Sequence, residues 1–408
     1  MKTISMCRIC RSSRVGLWLD LGETPLANAF LAKEDLDKPE ARFPLRVMFC
    51  EACGLSQLGD VVEPETLFRD YVYFTSAIPR VPEHFRNYAN EAVDRFAGAN
   101  GFVVEIGSND GILLRAAKER GARVLGVDPA KNIARVANER GIPTIAEFFS
   151  EALAAKIASE YGRADIIIGN NVVAHIDDHH DLMRGVTSLL SDGGAFIFEA
   201  PYLVDMFERL AFDSVYHEHL SYLSLRPLAR LMAEHGMEIF DVKTFPVQGK
   251  SLRAWAGRIG RHPIMPAVSE FLAHEHSFGL DAIASYHELA KKIATLKRDV
   301  VATLADLKTR GARIAAYGAP ARGNTILNYY GIGRELLDHA TEELPTKIGR
   351  YTPGSHLPII HIDESRKNPP DYYFLLAWNY RDAVWEKEGA FRERGGKFIF
   401  PIGEERII

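Results

Sequence analysis

The stretch from residue 102 to residue 128 constrains the fold more than any other part of the chain. Phe102-Val-Val-Glu-Ile106 is an apolar run of strand length, and Gly107-Ser-Asn-Asp-Gly111 is a short polar loop. A helical pattern runs from Ile112 to about Gly121, and Arg123-Val-Leu-Gly-Val127 is a second apolar run closed by Asp128. Further strand-like runs at Ala164–Ile168 and Ala195–Phe198 are separated by helix-like segments. Such alternation predicts an α/β fold, with a parallel sheet covered by helices on both faces. In a sheet of this kind ligands gather beyond the carboxyl ends of the strands. That rule brings the 107–111 loop, Asp128 and Asn170 to one site.

Glycine spacing narrows the ligand. A dinucleotide site calls for G-x-G-x-x-G, so that backbone amides meet a pyrophosphate at a helix N-terminus. Here an acidic strand residue, Glu105, precedes two glycines, Gly107 and Gly111. Asp128 stands 21 residues after Gly107, where a carboxylate accepts hydrogen bonds from both ribose hydroxyls. The segment resembles the first motif of class I methyltransferases. The resemblance implies a Rossmann-like domain binding S-adenosylmethionine through Glu105, Gly107, Asn109, Gly111, Asp128 and Asn170. A nicotinamide enzyme is the competing reading.

All four cysteines fall in the first 53 residues, as Cys7-x-x-Cys10 and Cys50-x-x-Cys53. Two knuckles of this spacing complete a tetrahedral zinc site. The alternatives are two redox pairs or free buried thiols, but redox C-x-x-C pairs normally open a helix after a strand. Four protein ligands close the coordination sphere, so the expected zinc is structural and activates no water.

At 408 residues the chain is long enough for two or three domains. With 47% hydrophobic and 25% charged residues its composition is that of a globular protein. A net charge of −5 gives no reason to expect nucleic acid, which counts against an RNA methyltransferase with a zinc module. The N-terminal residues lack the apolar core of a signal peptide, and no run reaches membrane-spanning length. The expectation is a cytoplasmic protein without a membrane partner, as a monomer or homodimer.

Two histidine-bearing segments follow the predicted strands. His175, in Gly-Asn-Asn-Val-Val-Ala-His175-Ile-Asp-Asp, falls where a substrate should lie, although loop backbone could equally satisfy it. Asp213-Ser-Val-Tyr216-His217-Glu218-His219-Leu-Ser-Tyr222 packs several acid–base groups into ten residues. It is not the H-E-x-x-H of a zinc protease, because its second histidine comes too soon for that helical face. His274-Glu-His276 repeats the same triplet and reads as the exposed start of a helix, so the triplet alone carries no meaning. Gly249-Lys250-Ser251 fails as a phosphate loop for want of a glycine five residues earlier.

Between residues 281 and 308, apolar side chains from Ile283 to Leu307 recur at helical spacing and predict one long amphipathic helix. A second α/β unit then follows, with strands expected at Arg313–Tyr317, Tyr372–Leu376 and Lys397–Phe400. Its turn at Gly318, Arg322, Gly323 and Thr325 suits a phosphate, held by backbone amides and a guanidinium. A purely structural duplicate of the first unit is the alternative.

The order of these segments resembles the nucleotide-sugar C-methyltransferases of deoxysugar biosynthesis over nearly the whole chain. The matching pieces are the two C-x-x-C pairs, Glu105 to Gly111, Ala174-His175-Ile176, and Tyr216-x-Glu218-His219. Tyr317-Gly-Ala-Pro-Ala-Arg-Gly-Asn-Thr325 and Gly349-Arg-Tyr-Thr-Pro-Gly354 complete the set. The resemblance implies three domains: a zinc module at 1–80, a methyltransferase domain at 81–265 and a nucleotide-sugar-binding domain at 266–408. It implies His219 as general base, with Tyr216, Glu218, His175 and Tyr73 (preferred over Tyr71) lining the site. The substrate, a nucleotide sugar and specifically a dTDP-linked one, would meet Tyr317, Gly318, Arg322, Gly323, Asn324, Thr325 and Arg350. Two positions depart from the pattern: Arg322 replaces a lysine, and Lys250 replaces a glycine. An O- or N-methyltransferase of another small molecule is the alternative on the same scaffold.

Overall fold

The computed structural model describes residues 1–69, 75–77, 81–246, 249–403 and 405–408. Tyr71 and Tyr73 therefore lie outside the described residues. No helix among those described is long and apolar enough to cross a membrane.

Near the N-terminus, β1 (Val15–Thr24), β2 (Phe43–Cys50) and β3 (Ser56–Leu58) form an antiparallel meander. Each C-x-x-C is a tight turn. Arg11 N–H donates to the Cys7 carbonyl at 3.0 Å, and Gly54 N–H donates to that of Cys50 at 2.8 Å. The residues closing the turns, Arg11 and Gly54, both have positive φ, at 56° and 83°.

The central sheet holds β4 (Phe102–Ile106), β5 (Arg123–Val127), β6 (Thr144–Ile145), β7 (Ala164–Asn170) and β8 (Leu190–Pro201). After the short β9 (Ser221–Tyr222), β10 (Met237–Phe245) and β11 (Ser251–Arg258) complete it, in the order β10-β11-β8-β7-β4-β5-β6. All pairings are parallel except those of β11, which runs against both its neighbours. Buried Val103, Val104, Ile166–Ile168 and Phe196–Phe198 point alternately to the two faces, so both must be covered. Helix α1 (Val81–Ala92) covers one face through Phe85, Tyr88 and Ala89, and α2 (Ile112–Glu119) follows the glycine loop. Strand β9 lies outside this sheet and pairs antiparallel with β3 of the cysteine-bearing meander.

Helix α3 (His179–Leu189) follows the His175 turn, and α4 (Leu225–Glu234) follows β9. Helix α5 (Pro266–Ser277) starts at a proline in its first turn. His274 and His276 therefore sit in its last turn, not at a helix start. Nor is the triplet wholly superficial. Glu275 is buried and accepts the Tyr202 hydroxyl at 3.0 Å and the Leu225 N–H at 2.6 Å, which caps α4 from another helix. The long helix expected beyond it is α6 (Ile283–Thr309), with an apolar residue buried at every third or fourth position from Leu289 to Leu307.

The last unit is a parallel sheet of β12 (Ile314–Tyr317), β13 (Ala340–Glu342), β14 (Ile359–His361), β15 (Tyr372–Leu375) and β16 (Lys397–Ile399). Its order is β14-β13-β12-β15-β16, with α7 (Ala321–Tyr330) following the first strand.

Candidate active site

Strands β4, β5 and β7 end side by side, which brings the predicted cofactor residues together. Gly107 has φ +66°, and a Cβ there would stand 2.2 Å from Val172 Cγ2. Gly111, φ +75°, is the N-cap of α2 and would meet Ile142 at 2.9 Å. Both positions demand glycine on conformation and on space. Asp128 is anchored by two backbone amides, accepting from Asn109 N at 2.8 Å and Ala130 N at 2.9 Å. Each carboxylate oxygen keeps a second lone pair for a ligand hydroxyl. Burial raises the Asp128 pKa. Burial, then Asp128 and Asp110, holds Glu105 well above the usual carboxylate range.

Five polar atoms around this loop are buried without a hydrogen-bond partner among the described residues: Glu105 Oε2, Ser108 Oγ, Asp110 Oδ1, and both Oδ1 and Nδ2 of Asn170. Buried polar groups are rarely left unpaired, so a donor- and acceptor-rich ligand fits here. S-adenosylmethionine, with its ammonium, carboxylate and ribose, matches that set, and its sulfonium suits an acidic pocket. A substitution Gly107→Ala should weaken S-adenosylmethionine binding by about 10- to 100-fold, through strain and the Val172 contact. Calorimetric titration checks this; unchanged affinity would mean that the loop relaxes freely.

The cysteines converge as the spacing predicts. Their four Sγ atoms lie within 4.8 Å of one another. The close pairs cross between the knuckles, Cys7 to Cys53 at 3.5 Å and Cys10 to Cys50 at 3.4 Å. Redox pairs would close within a knuckle. Bonds of about 2.3 Å to a tetrahedral zinc put sulfurs about 3.8 Å apart, so four thiolates here fit zinc.

A second cluster lies beyond β7 and β8. His219 is buried, and its Nδ1 lies 2.8 Å from the carbonyl oxygen of Ser214. A carbonyl can only accept, so Nδ1 carries the proton and Nε2 keeps its lone pair. Nε2 in turn accepts the Tyr216 hydroxyl at 2.8 Å. Burial lowers the His219 pKa to about 4, so the ring is a neutral base at physiological pH. The His175 ring packs edge-on against it, with centroids 4.9 Å apart. His175 Nδ1 is buried with no hydrogen-bond partner among the described residues, and burial, then His219, holds its pKa well below the ordinary value. Glu218 faces the N-terminal region and accepts from Asn28 Nδ2 at 2.6 Å.

One cavity is lined by His219, Ser214, Ala174, Tyr202, Asp205, Lys250 and Arg322. Arg322 therefore shares the cavity with the base, but it does so already tied down. Its Nε and Nη2 donate to both oxygens of Asp213, at 3.0 and 2.7 Å, and Trp378 Nε1 donates to the same carboxylate at 2.7 Å. The rest of the expected phosphate turn is inward-facing. Tyr317 donates to Glu388 at 2.8 Å, Asn324 to the Ala27 carbonyl at 2.7 Å and Thr325 to the Val215 carbonyl at 3.2 Å. Gly318 and Gly323 give close approach to Ala377 and Leu376, and Arg350 donates to the Phe30 carbonyl at 3.3 Å. The side chains named for phosphate thus hold three parts of the chain together, with Arg322 in the cavity. Sequence reasoning missed Ser214, Asn28 and Tyr202, whose roles depend on partners far along the chain.

A cofactor loop for S-adenosylmethionine, a four-thiolate zinc module and a neutral buried base define the class: this is an S-adenosylmethionine-dependent methyltransferase. Residues 7–68 match the family of zinc binding domains, residues 82–242 that of methyltransferase domains and residues 246–403 that of C-methyltransferase C-terminal domains. The chain is 38% identical to C-methyltransferase NovU of Streptomyces niveus, over 100% of this chain and 98% of that protein. It belongs to the C-methyltransferase family. A ubiquinone biosynthesis O-methyltransferase of Ralstonia nicotianae is 32% identical, over 24% of this chain and 41% of that one. Magnesium protoporphyrin IX methyltransferase of Synechocystis PCC 6803, with bound SAM, superposes with a TM-score of 0.35 and 14% identity. It covers 46% of this chain and 85% of that one.

Proposed function

We propose that this C-methyltransferase acts on a nucleotide-linked 4-keto-deoxysugar, specifically a dTDP-linked one, by way of an enolate. The observation that carries the reading is His219: its Nδ1 proton is fixed on the Ser214 carbonyl, so a basic Nε2 stands in a cavity shared with Arg322. S-adenosylmethionine supplies an electrophilic methyl group, and a carbon beside a ketone becomes nucleophilic when it loses a proton. Nε2 takes that proton, and the C–H electron pair moves into the ketone. Released from Nε2, the Tyr216 hydroxyl donates to the developing enolate oxygen. The enolate charge beside it stabilises the imidazolium that burial otherwise disfavours. A new C–C bond then forms as the methyl leaves sulfur, and S-adenosylhomocysteine departs. His175, edge-on to His219, completes the wall of this site, while Glu218 holds Asn28 and with it the N-terminal region. Tyr73 remains part of the proposal as a further wall residue. Arg322, its charge held in place by Asp213, faces the anionic nucleotide. The three-domain division at residues 80 and 265, and work in the cytoplasm, belong to the same proposal.

The test is mass spectrometry of methyl transfer to a panel of nucleotide-linked 4-keto-6-deoxysugars in heavy water. The expected result is a product heavier by one methyl. Without S-adenosylmethionine, deuterium should enter the carbon beside the ketone in a protein-dependent way. Binding of S-adenosylmethionine with neither transfer nor exchange across the panel would move the substrate elsewhere.

A further inference from the structure

The loop between the zinc ligands Cys7 and Cys10 is tied to the segments that carry the two histidines of the proposed site. Arg8 has a side chain only 2% exposed, although it carries a charge. Its Nε donates to Asp177 Oδ1 at 3.0 Å and its Nη1 to the Leu58 carbonyl at 2.7 Å. Its backbone N–H is itself fixed, donating to Gln57 Oε1 at 2.9 Å. Asp177 is two residues past His175, and its other oxygen faces Lys2 at the surface, at 3.3 Å. The next residue of the loop, Ile9, accepts His180 Nε2–H through its carbonyl at 2.7 Å. Two bonds from one metal-binding turn thus hold the segment on both sides of Asp178, the N-cap of α3.

The other histidine hangs from the same point. Leu58, which receives Arg8 on its carbonyl, donates its N–H to the Leu220 carbonyl at 2.9 Å, one residue past His219. Strand β9 then continues along β3, with Ser221 opposite Gln57. The path Asp177–Arg8–Leu58–Leu220 therefore spans the pair, whose rings meet 4.9 Å apart.

We propose that Arg8 is a positioning residue: the zinc-bound loop, through Arg8, sets the spacing of His175 against His219. The metal is closed to substrate yet governs the geometry of the site. The kinetic consequence rests on the function proposed above; the positioning itself does not. A guanidinium suits the task because its fork serves a carboxylate and a carbonyl in fixed directions, which an ammonium cannot do.

The test uses the full-length zinc-loaded protein labelled at histidine Cε1, with His175 and His219 resonances assigned from His175→Asn and His219→Gln. In Arg8→Met and Asp177→Asn, zinc content and S-adenosylmethionine affinity should match the parent while both resonances shift. On an accepted substrate kcat should fall about 10- to 100-fold, as misplacement near an ångström does, with KM changed little. Arg8→Lys should fall between. Should Arg8→Met fail to fold, Asp177→Asn decides, because Asp177 is 28% exposed and outside the core. Unmoved resonances in Asp177→Asn overturn the proposal. Shifted resonances with no turnover on any keto sugar would leave it standing and remove the proposed substrate instead.

Discussion

His219→Gln should lower kcat by about 100- to 10,000-fold, the usual contribution of a positioned general base. Glutamine is the apt replacement because its amide can still donate toward Ser214 and accept from Tyr216, the two contacts His219 makes at 2.8 Å. What disappears is an atom able to take and keep a proton. S-adenosylmethionine affinity should be unchanged, since the cofactor residues lie at the ends of β4, β5 and β7. Deuterium uptake without S-adenosylmethionine should vanish with turnover. The pH profile adds a second check. With its pKa lowered to about 4, His219 is neutral from pH 8 down to about 5, so the exchange rate should stay flat over that range. An acid limb centred near pH 6.5 would mean a solvated imidazole, and near-full turnover in His219→Gln would mean another base.

How much of this was legible in the sequence depends on how local each signal was. The glycine loop could be read because Gly107 and Gly111 sit where positive φ is needed, between two apolar runs that become β4 and β5. The zinc site could be read because each knuckle closes on itself within five residues. Tyr216 and His219, three residues apart, were visible as a cluster. Their protonation was not, because it follows from the Ser214 carbonyl, which carries no sequence signal. Arg322 was legible only in part. Its charge beside glycines was visible, but its pairing with Asp213, 109 residues earlier, was not. Glu275 reads as surface because its flanking histidines are polar, while its partners Tyr202 and Leu225 lie 73 and 50 residues away. The Arg8–Asp177 contact, 169 residues apart, is of the same kind.

The chain should also lose stability as pH falls from 6.5 to 4, and His179 is the residue to test. It is fully buried, its ring nitrogens meet no polar partner among the described residues beyond the Val173 backbone, and burial lowers its pKa to about 4. His219 is lowered to about 4 as well. An unfolded histidine titrates near 6.5, so in this window the unfolded chain binds more protons than the folded one. Stability from each ring is therefore complete above pH 6.5 and gone below about pH 4, a contribution of about 3 kcal/mol apiece. Other groups cloud the raw curve. Glu105, Asp128 and Glu275 have raised pKa values and act in the opposite sense, and acid also strips zinc from thiolates. Comparing the parent with His179→Leu cancels both. At pH 7 the leucine should cost little, because the ring it replaces has only the Val173 backbone as a polar partner. Between pH 7 and pH 5 the parent should lose about 2 kcal/mol more unfolding free energy than the variant. Denaturant titrations at the two pH values measure that difference. Parallel losses in the two proteins would show that His179 is protonated in the folded chain, and that its burial is not the source of acid sensitivity.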